Sequence, residues 1–127
     1  MKPLEILLVE DNAGDILLIH QALKRHLNPV DVHVAVDGEQ ALEFLDDGTV
    51  HPDLILLDLK IPKIPGLSFL ARCHTNAPVV VFSSSTSPHE IQRAFELGAR
   101  DFVSKPIDLD AYEREVGAIV RTWGNQS

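Results

Sequence analysis

Cysteine is almost absent from this sequence, with Cys73 the single example among 127 residues. One cysteine cannot form a disulfide within the chain, so nothing in the composition indicates an oxidising compartment. Cys73 and the adjacent His74 are also too few to form a metal site. We interpret Cys73 as a packing residue.

Basic residues are scarce too, since 11 Lys and Arg stand against 19 Asp and Glu and give a formal net charge of -8. Nonspecific nucleic-acid binding needs clustered positive charge, so this composition argues against a nucleic-acid partner. Apolar runs of membrane-spanning length and a signal-like N-terminus are both missing. We therefore expect a cytoplasmic protein, without a membrane partner, that forms one domain over 1–127.

The segment 53–66 organises the rest of the chain. Its residues 54–57 are all apolar and too few for a globular helix, which is typical of a strand buried on both faces of a parallel sheet. Asp58 ends this strand, and Pro62, Pro65 and Gly66 open a loop after it. Ligands of open parallel sheets bind beyond the carboxyl ends of the strands, so Asp58 is a candidate reactive group. Taken alone, it could equally be a carboxylate that only terminates the strand.

Strands and helices alternate in the rest of the chain. Apolar runs predict strands at 4–9, 79–82 and 101–104, and alternating valines predict an edge strand at 30–36. Helical spacing and capping residues predict helices at 13–27, 38–48 and 88–98, a short one from Leu67 that is closed by Asn76 and Pro78, and a final one over 109–123. We interpret Asn12 and Asp15 as capping residues of the first helix.

Five strand–helix units with short connections predict an α/β fold, in which helices cover both faces of one parallel sheet. Right-handed crossovers leave few topologies. We expect a single doubly wound (βα)5 domain, flavodoxin-like, with strand order 2-1-3-4-5. In that order the first and third strands are neighbours, and their carboxyl ends lie at the topological switch point.

Acidic residues follow both of those strands: Glu10 and Asp11 after the first and Asp58 after the third. Three carboxylates in one crevice repel one another unless a cation lies between them, and such an all-oxygen set suits Mg2+. Ser83 ends the fourth strand and Lys105 follows the fifth, where a hydroxyl and an ammonium would suit the oxygens of a phosphoryl group. Aspartate is among the side chains that form covalent phosphoryl intermediates.

Each of these residues alone has an ordinary explanation. Glu10 and Asp11 could be an exposed strand-end pair, Ser83 a turn serine and Lys105 a solvated charge. Together, however, five suitable residues fall at the carboxyl ends of four of the five predicted strands. Solvation of the surface does not explain that coincidence.

Three segments carry a family resemblance that extends over essentially the whole chain. Residues 8–12 resemble the acidic-pair motif of response-regulator receiver domains, 57–62 the phosphoacceptor motif and 103–106 the switch-lysine motif. Glu10-Asp11-Asn12-x-x-Asp15 and residues 41–45 are most similar to the short regulators associated with phytochrome histidine kinases. The resemblance implies a single receiver domain with no output domain.

The resemblance also implies roles for the candidate residues. Asp58 would accept phosphate from a phosphohistidine of a sensor histidine kinase, and the likeness to the phytochrome-associated regulators implies a kinase of the phytochrome type. Ser83 would bond the phosphoryl group in the active state, and Lys105 would pair with a phosphoryl oxygen. The metal ligands for Mg2+ would be Glu10, Asp11, Asp58 and the backbone carbonyl of Lys60. Many members have a cis peptide bond before the proline that corresponds to Pro106.

Two positions depart from the common pattern of that family. Pro65 stands where an aspartate is usual, which should stiffen the loop after the site. Phe102 occupies the position of the switch tyrosine and has no hydroxyl, so we expect it to bias the switch through packing alone. The fourth helix, fifth strand and fifth helix would then form the responsive surface. Surplus apolar groups there suggest self-association: Phe102, Ile119, Val120 and Trp123.

Other classes of protein share the predicted fold. A small flavodoxin-like enzyme or cofactor carrier would need a glycine-rich phosphate loop after the first strand, where residues 10–12 are instead acidic and polar. A phosphate-independent adaptor is disfavoured by the complete set of site residues. The favoured interpretation is a phosphorylation-activated signalling switch rather than an enzyme, which acts on a downstream protein target.

Overall fold

The computed structural model describes residues 2–26, 29–85 and 87–124. Strands and helices alternate along them, as the sequence predicts. The strands are β1 (Leu4–Val9), β2 (Val30–Ala35), β3 (Leu54–Leu57), β4 (Val79–Ser83) and β5 (Asp101–Ser104). The helices are α1 (Ala13–Lys24), α2 (Gly38–Asp46), α3 (Gly66–Arg72), α4 (Pro88–Glu96) and α5 (Leu109–Trp123).

The strands form one parallel sheet in the order β2-β1-β3-β4-β5, which confirms the predicted topology. The register aligns the carboxyl ends of β1 and β3, because Val9 pairs with Leu57. The Asp58 N–H then donates to the Val9 carbonyl at 3.0 Å. Glu10 and Asp58 therefore leave the sheet side by side.

The carboxyl ends of β4 and β5 are aligned in the same way. Ser83 pairs with Ser104, and the Lys105 N–H donates to the Ser83 carbonyl at 2.9 Å. Lys105 therefore begins directly beside the last residue of β4. All the candidate residues named from the sequence at strand ends thus lie along one edge of the sheet.

Helices cover both faces of the sheet, which the apolar strands β3 and β4 require because they are buried along their whole length. One hydrophobic cluster joins the sheet to α2, α3 and α4 and includes Phe69 and Ala94. A second joins it to α1 and α5 and includes Ile19 and Val116. Each fully buried Leu, Ile or Phe contributes about 1.5–3 kcal/mol relative to exposure, so the two clusters hold the sheet edge firmly.

Side-chain caps fix where the helices begin. Asn12, Asp37, Ser87 and Asp108 each accept a hydrogen bond from the backbone N–H three residues further on. These bonds confirm the predicted helix starts. Gly48 follows α2 with a φ of 75°, a left-handed conformation that glycine adopts without a steric penalty.

Some predicted boundaries are wrong. Helix α1 ends at Lys24, because the N–H groups of Arg25 and His26 turn back to carbonyls three residues earlier and tighten the last turn. Leu27, where we expected the end, lies outside the described residues. Strand β2 ends at Ala35, one residue early. Helix α3 is short as predicted, but it ends at Arg72, after which the backbone is extended.

The apolar groups from which we expected self-association are packed within the domain rather than left over. Ile119 and Val120 are buried in the cluster between the sheet, α1 and α5, and Trp123 packs against that cluster. Phe102 packs against the cluster on the opposite face. Helical spacing alone cannot show how many of these side chains the sheet covers.

The loop after β3 folds closely over the backbone at the strand end. The Gly66 N–H donates to the Leu59 carbonyl at 3.1 Å. A Cβ at Gly66 would lie 2.5 Å from the Leu59 Cα and 2.8 Å from the Asp58 carbonyl oxygen, so this approach needs a glycine. The loop thereby restricts the backbone that carries Asp58.

None of the peptide bonds among the described residues is cis, so the Lys105–Pro106 bond is trans, unlike the cis bond that the resemblance suggested. None of the helices within residues 2–26, 29–85 and 87–124 is long and apolar enough to cross a membrane.

Candidate functional site

Three carboxylates meet at the carboxyl edge of the sheet, where β1 and β3 end. Glu10 and Asp11 follow β1, and Asp58 follows β3. Each offers an oxygen, and these oxygens all lie within 4.8 Å of one another. The sequence predicted this grouping, and the register of β1 with β3 is its physical cause.

Burial distinguishes the three carboxylates. Glu10 is 1% exposed and Asp58 is 8% exposed, whereas Asp11 is open to solvent. Burial raises the pKa of Glu10 to about 7, the Lys105 ammonium opposes that rise, and the charge of Asp58 adds to it. The Asn12 N–H donates to Glu10 Oε2 at 3.2 Å and holds that side chain in place.

Lys105 carries its ammonium into the middle of this acidic group. Its Nζ lies 2.6 Å from Glu10 Oε1, 3.2 Å from Asp15 Oδ2 and 3.3 Å from Asp58 Oδ2. Burial alone would lower the pKa of Lys105, but its bond to Glu10 and the charges of the three carboxylates outweigh that effect and raise the pKa. The ammonium therefore stays charged and partly offsets the repulsion among the carboxylates.

The donor set fits a divalent metal ion. All three ligand groups are carboxylates, which suits hard cations such as Mg2+. The mixture of buried and exposed members leaves one side open to solvent, where water could complete a coordination shell. Together with Asp15, these three carboxylates outnumber the single ammonium of Lys105. A cation would reduce the excess negative charge.

Ser83 lies at the site edge but is engaged elsewhere in this structure. Its side chain is fully buried, and its Oγ accepts a hydrogen bond from the Ser85 N–H at 3.3 Å. Ser84, which is exposed, lines the cleft over the site instead. That bond uses a lone pair of Oγ and leaves the hydroxyl hydrogen of Ser83 for a group bound at Asp58.

Lys60 lines the cleft over the site, and Phe102 packs against a hydrophobic cluster of the core. The Lys60 N–H donates to Asp58 Oδ1 at 3.3 Å, and its exposed side chain lines the cleft. Phe102 lies on β5 and is half-buried against the cluster under α2, α3 and α4. The structure thus brings Lys60 to the mouth of the site, whereas Phe102 stays in the hydrophobic layer behind it.

Two residues that contact the site were not predicted to do so from the sequence. Asp15, interpreted there as a capping residue, pairs with Lys105, and only its backbone N–H takes part in the cap with Asn12. Tyr112, on α5, donates its hydroxyl to Asp15 Oδ1 at 2.7 Å. One signal was available: Tyr112 is the only tyrosine of the chain, and a buried tyrosine hydroxyl needs a partner.

A cleft of about 450 Å³ opens above these residues. Its polar lining comes from the site, and its apolar rim comes from α1 and the segment between β5 and α5. The rim is open, with Ile107 completely exposed and Leu109 61% exposed. The arrangement can hold a small anionic group beside Asp58, with the Lys105 ammonium against it. The cleft leaves space above for a larger molecule that carries such a group.

A parallel (βα)5 sheet with an acidic cluster and a lysine at its carboxyl edge defines the class of receiver domains. Residues 6–116 match the response regulator receiver domain family. The chain belongs to this family, whose members act as signalling switches in two-component systems.

Comparison with individual proteins supports the same conclusion. The chain is 35% identical over 126 residues to the transcriptional regulatory protein CpxR of Escherichia coli, covering 96% of this chain and 52% of CpxR. It spans only about half the length of that relative.

Two crystal structures are similar over almost their whole length. The phosphorylated cyanobacterial phytochrome response regulator RcpA has a TM-score of 0.92 and 32% identity, with 99% of this chain and 97% of RcpA covered. The Mn(2+)-bound form of response regulator Rcp1 has a TM-score of 0.89 and 30% identity, with 98% and 97% covered.

Proposed function

We propose that Asp58 is the phosphoacceptor of this receiver domain and that a sensor histidine kinase supplies the phosphoryl group. The observation that carries the proposal is the position of the Lys105 ammonium, 3.3 Å from Asp58 Oδ2 and 2.6 Å from the buried Glu10. A cation fixed beside a carboxylate can stabilise the negative charge of phosphoryl oxygens that bind there.

The transfer is an exchange of one bond for another. A carboxylate oxygen of Asp58 forms a bond to phosphorus while the bond from phosphorus to the histidine nitrogen of the kinase breaks. The electron pair of that bond stays on the imidazole nitrogen, which then takes a proton from water. Lys105 would pair with a phosphoryl oxygen, and the N–H of Lys60 steadies the Asp58 carboxylate before attack.

The proposed metal is Mg2+, which would be held by Glu10, Asp11, Asp58 and the backbone carbonyl of Lys60. When bound, it would neutralise charge on the phosphoryl group and the carboxylates. The Mn(2+)-bound state of Rcp1 and the acidic cluster here support a divalent cation. Mg2+ is our assignment because the donors are hard oxygen ligands.

The proposed kinase is of the phytochrome type, and the exchange would take place in the cytoplasm. The support is the likeness to RcpA, a cyanobacterial phytochrome response regulator. The phosphorylated form would act by protein–protein contact on a downstream target, for which a receiver, a phosphotransfer protein or a second copy of this chain would serve. Ser83 and Phe102 would change position in that form.

Intact-protein mass spectrometry tests the phosphorylation. The wild type should gain the mass of one phosphate when it is incubated with Mg2+ and acetyl phosphate, and a chelator should suppress the gain. Asp58→Asn keeps the shape of the side chain but removes the nucleophilic carboxylate, so its labelling should disappear. Asp53→Asn, on the exposed approach to β3, is the matched control and should label like the wild type. Equal labelling of wild type and Asp58→Asn would refute the assignment.

A further inference from the structure

A line of four side chains joins the proposed phosphoacceptor to helix α5. Asp58 Oδ2 lies 3.3 Å from Lys105 Nζ, which lies 3.2 Å from Asp15 Oδ2. The other oxygen of Asp15 accepts from the Tyr112 hydroxyl at 2.7 Å. The line crosses from β3 through β5 and α1 to α5, so it connects elements that are far apart in sequence.

Tyr112 is firmly held at the end of this line. It is 3% exposed, and its ring meets Phe82 of β4 edge to face, with centroids 5.1 Å apart and an interplanar angle of 70°. Burial and the bond to Asp15 raise the pKa of Tyr112, so the hydroxyl keeps its proton and donates. A hydroxyl on a fixed ring thereby orients the Asp15 carboxylate.

The Lys105 ammonium has three hydrogens to donate and three carboxylates already around it: Glu10, Asp15 and Asp58. A phosphoryl oxygen at Asp58 must therefore compete with one of them. Charge-assisted bonds to a phosphoryl dianion are strong, so Lys105 should move toward it.

Asp15 is the partner that Lys105 can release at least cost. The Glu10 side chain is 1% exposed, and losing its cation would leave a buried charge unpaired. The Asp15 side chain is 22% exposed, so water can replace the ammonium there. Once Asp15 is released from Lys105, the carboxylate that accepts the Tyr112 hydroxyl bond is no longer paired with a cation.

We propose that Asp15 and Tyr112 are positioning residues that link phosphorylation of Asp58 to helix α5 through Lys105. This inference rests on the proposed function, because it needs a phosphoryl group at Asp58. It differs from a route through Phe102, which has no hydroxyl and packs on the other face of the sheet. The Tyr112 route reaches the seam where α1 and α5 pack together, beside the Arg25–Glu113 ion pair.

The single tyrosine gives this link a direct probe. Protein made with 3-fluorotyrosine carries one fluorine, at residue 112, and therefore gives one 19F resonance. That resonance is recorded with Mg2+ before and after addition of acetyl phosphate, and an intact mass of the same sample shows whether phosphate is attached. We expect the wild-type resonance to shift upon phosphorylation.

Three variants separate the link from mere proximity. Asp15→Asn can still accept from Tyr112 but no longer attracts Lys105, so it should gain phosphate while most of the 19F shift is lost. Asp110→Asn makes the same chemical change at an exposed residue of α5 and should keep the full shift. Phe102→Leu should also keep it, since that residue lies off the route.

A fourth variant guards against misfolding of Asp15→Asn. Tyr112→Phe loses only the hydroxyl, and phosphorylation should no longer alter amide exchange at residues 109–116, although phosphate is still attached. A phosphorylated wild type with an unmoved resonance, or an undiminished shift in Asp15→Asn, overturns the link alone. A wild type that gains no phosphate overturns the proposed function and the link with it.

Discussion

The ammonium of Lys105 lies 2.6 Å from the Glu10 carboxylate, and both side chains are almost completely shielded from water, at 9% and 1% exposure. Two strands far apart in sequence, β1 and β5, are joined by this pair. A buried ion pair of this kind is costly to break from one side, because the remaining charge stays in a poorly solvating environment. The free energy of unfolding should therefore depend on whether Glu10 is protonated.

Lys105→Gln should destabilise the metal-free protein more at alkaline pH than at acid pH. At pH 8 Glu10 is ionised beside Lys105 in the wild type, whereas without that cation its pKa rises further and it takes up a proton. Protonating a group whose pKa is about 7 at pH 8 costs about 1.4 kcal/mol, and we expect a loss of that size in the free energy of unfolding. Glu10 already has its pKa raised to about 7 and becomes neutral as the pH falls below that value, so the loss should shrink by pH 5. Urea denaturation at both pH values measures the difference.

The matched control for that variant is Arg93→Gln. Arg93 forms an exposed pair with Glu96 at 3.5 Å, and exposed pairs contribute about 0–1 kcal/mol. Its unfolding free energy should change little at either pH. An equal loss for Lys105→Gln at pH 5 and pH 8 would show that the Glu10 charge is not the cause.

Metal affinity should rise with pH across the range where Glu10 loses its proton. A proton on Glu10 opposes cation binding, and the pKa of Glu10 lies near 7 in the metal-free site. The apparent affinity for Mg2+ should therefore increase roughly tenfold between pH 6 and pH 8. Titration calorimetry on wild type and Glu10→Gln checks this. A slope that persists unchanged in Glu10→Gln would point to another group.

Direct metal ligation should depend on Asp11 more than on Glu10. Asp11 is exposed and free to contact a hydrated cation, whereas Glu10 is already bonded to Lys105 and to the Asn12 N–H. A calorimetric titration of Asp11→Ala should show a larger loss of Mg2+ affinity than one of Glu10→Ala, and Mg2+ should raise the melting temperature of the wild type. An unchanged affinity in Asp11→Ala would exclude it as a ligand.

Lys60 should modestly prolong the life of the phosphorylated state. Its exposed side chain stands at the mouth of the cleft, where an ammonium can pair with a phosphoryl oxygen and obstruct attacking water. Lys60→Ala should lose phosphate a few times faster than the wild type, as followed by intact mass after the donor is removed. Lys63→Ala is the control on the same loop, and an unchanged or slower rate in Lys60→Ala argues against the idea.

The sequence predicts the fold because its signals are local. The buried strand at 54–57, the cap residues Asn12 and Asp108 and the glycine after α2 each act within a few positions. Strand-end carboxylates could be placed together because a parallel sheet brings carboxyl ends to one edge. These rules need no knowledge of which side chains meet.

The missed features depend on how helices pack. Asp15 reaches Lys105 and Tyr112 only because α1 and α5 lie side by side, a relation that helical spacing does not contain. The same packing buries Ile119 and Val120, which the sequence left as candidates for a partner surface. Ser83 was placed at the right strand end, but its bond to the Ser85 N–H depends on the fold of the following loop.

Chemical trapping of the phosphorylated residue tests the central claim most directly. An aspartyl phosphate is reduced by borohydride to homoserine, whereas a free carboxylate is not, so peptide mass spectrometry after treatment with Mg2+, acetyl phosphate and borohydride identifies the acceptor. We predict homoserine at position 58 and unchanged aspartate at positions 11 and 15 in the same digest. Homoserine at position 11 or 15, with an intact Asp58, would contradict the account.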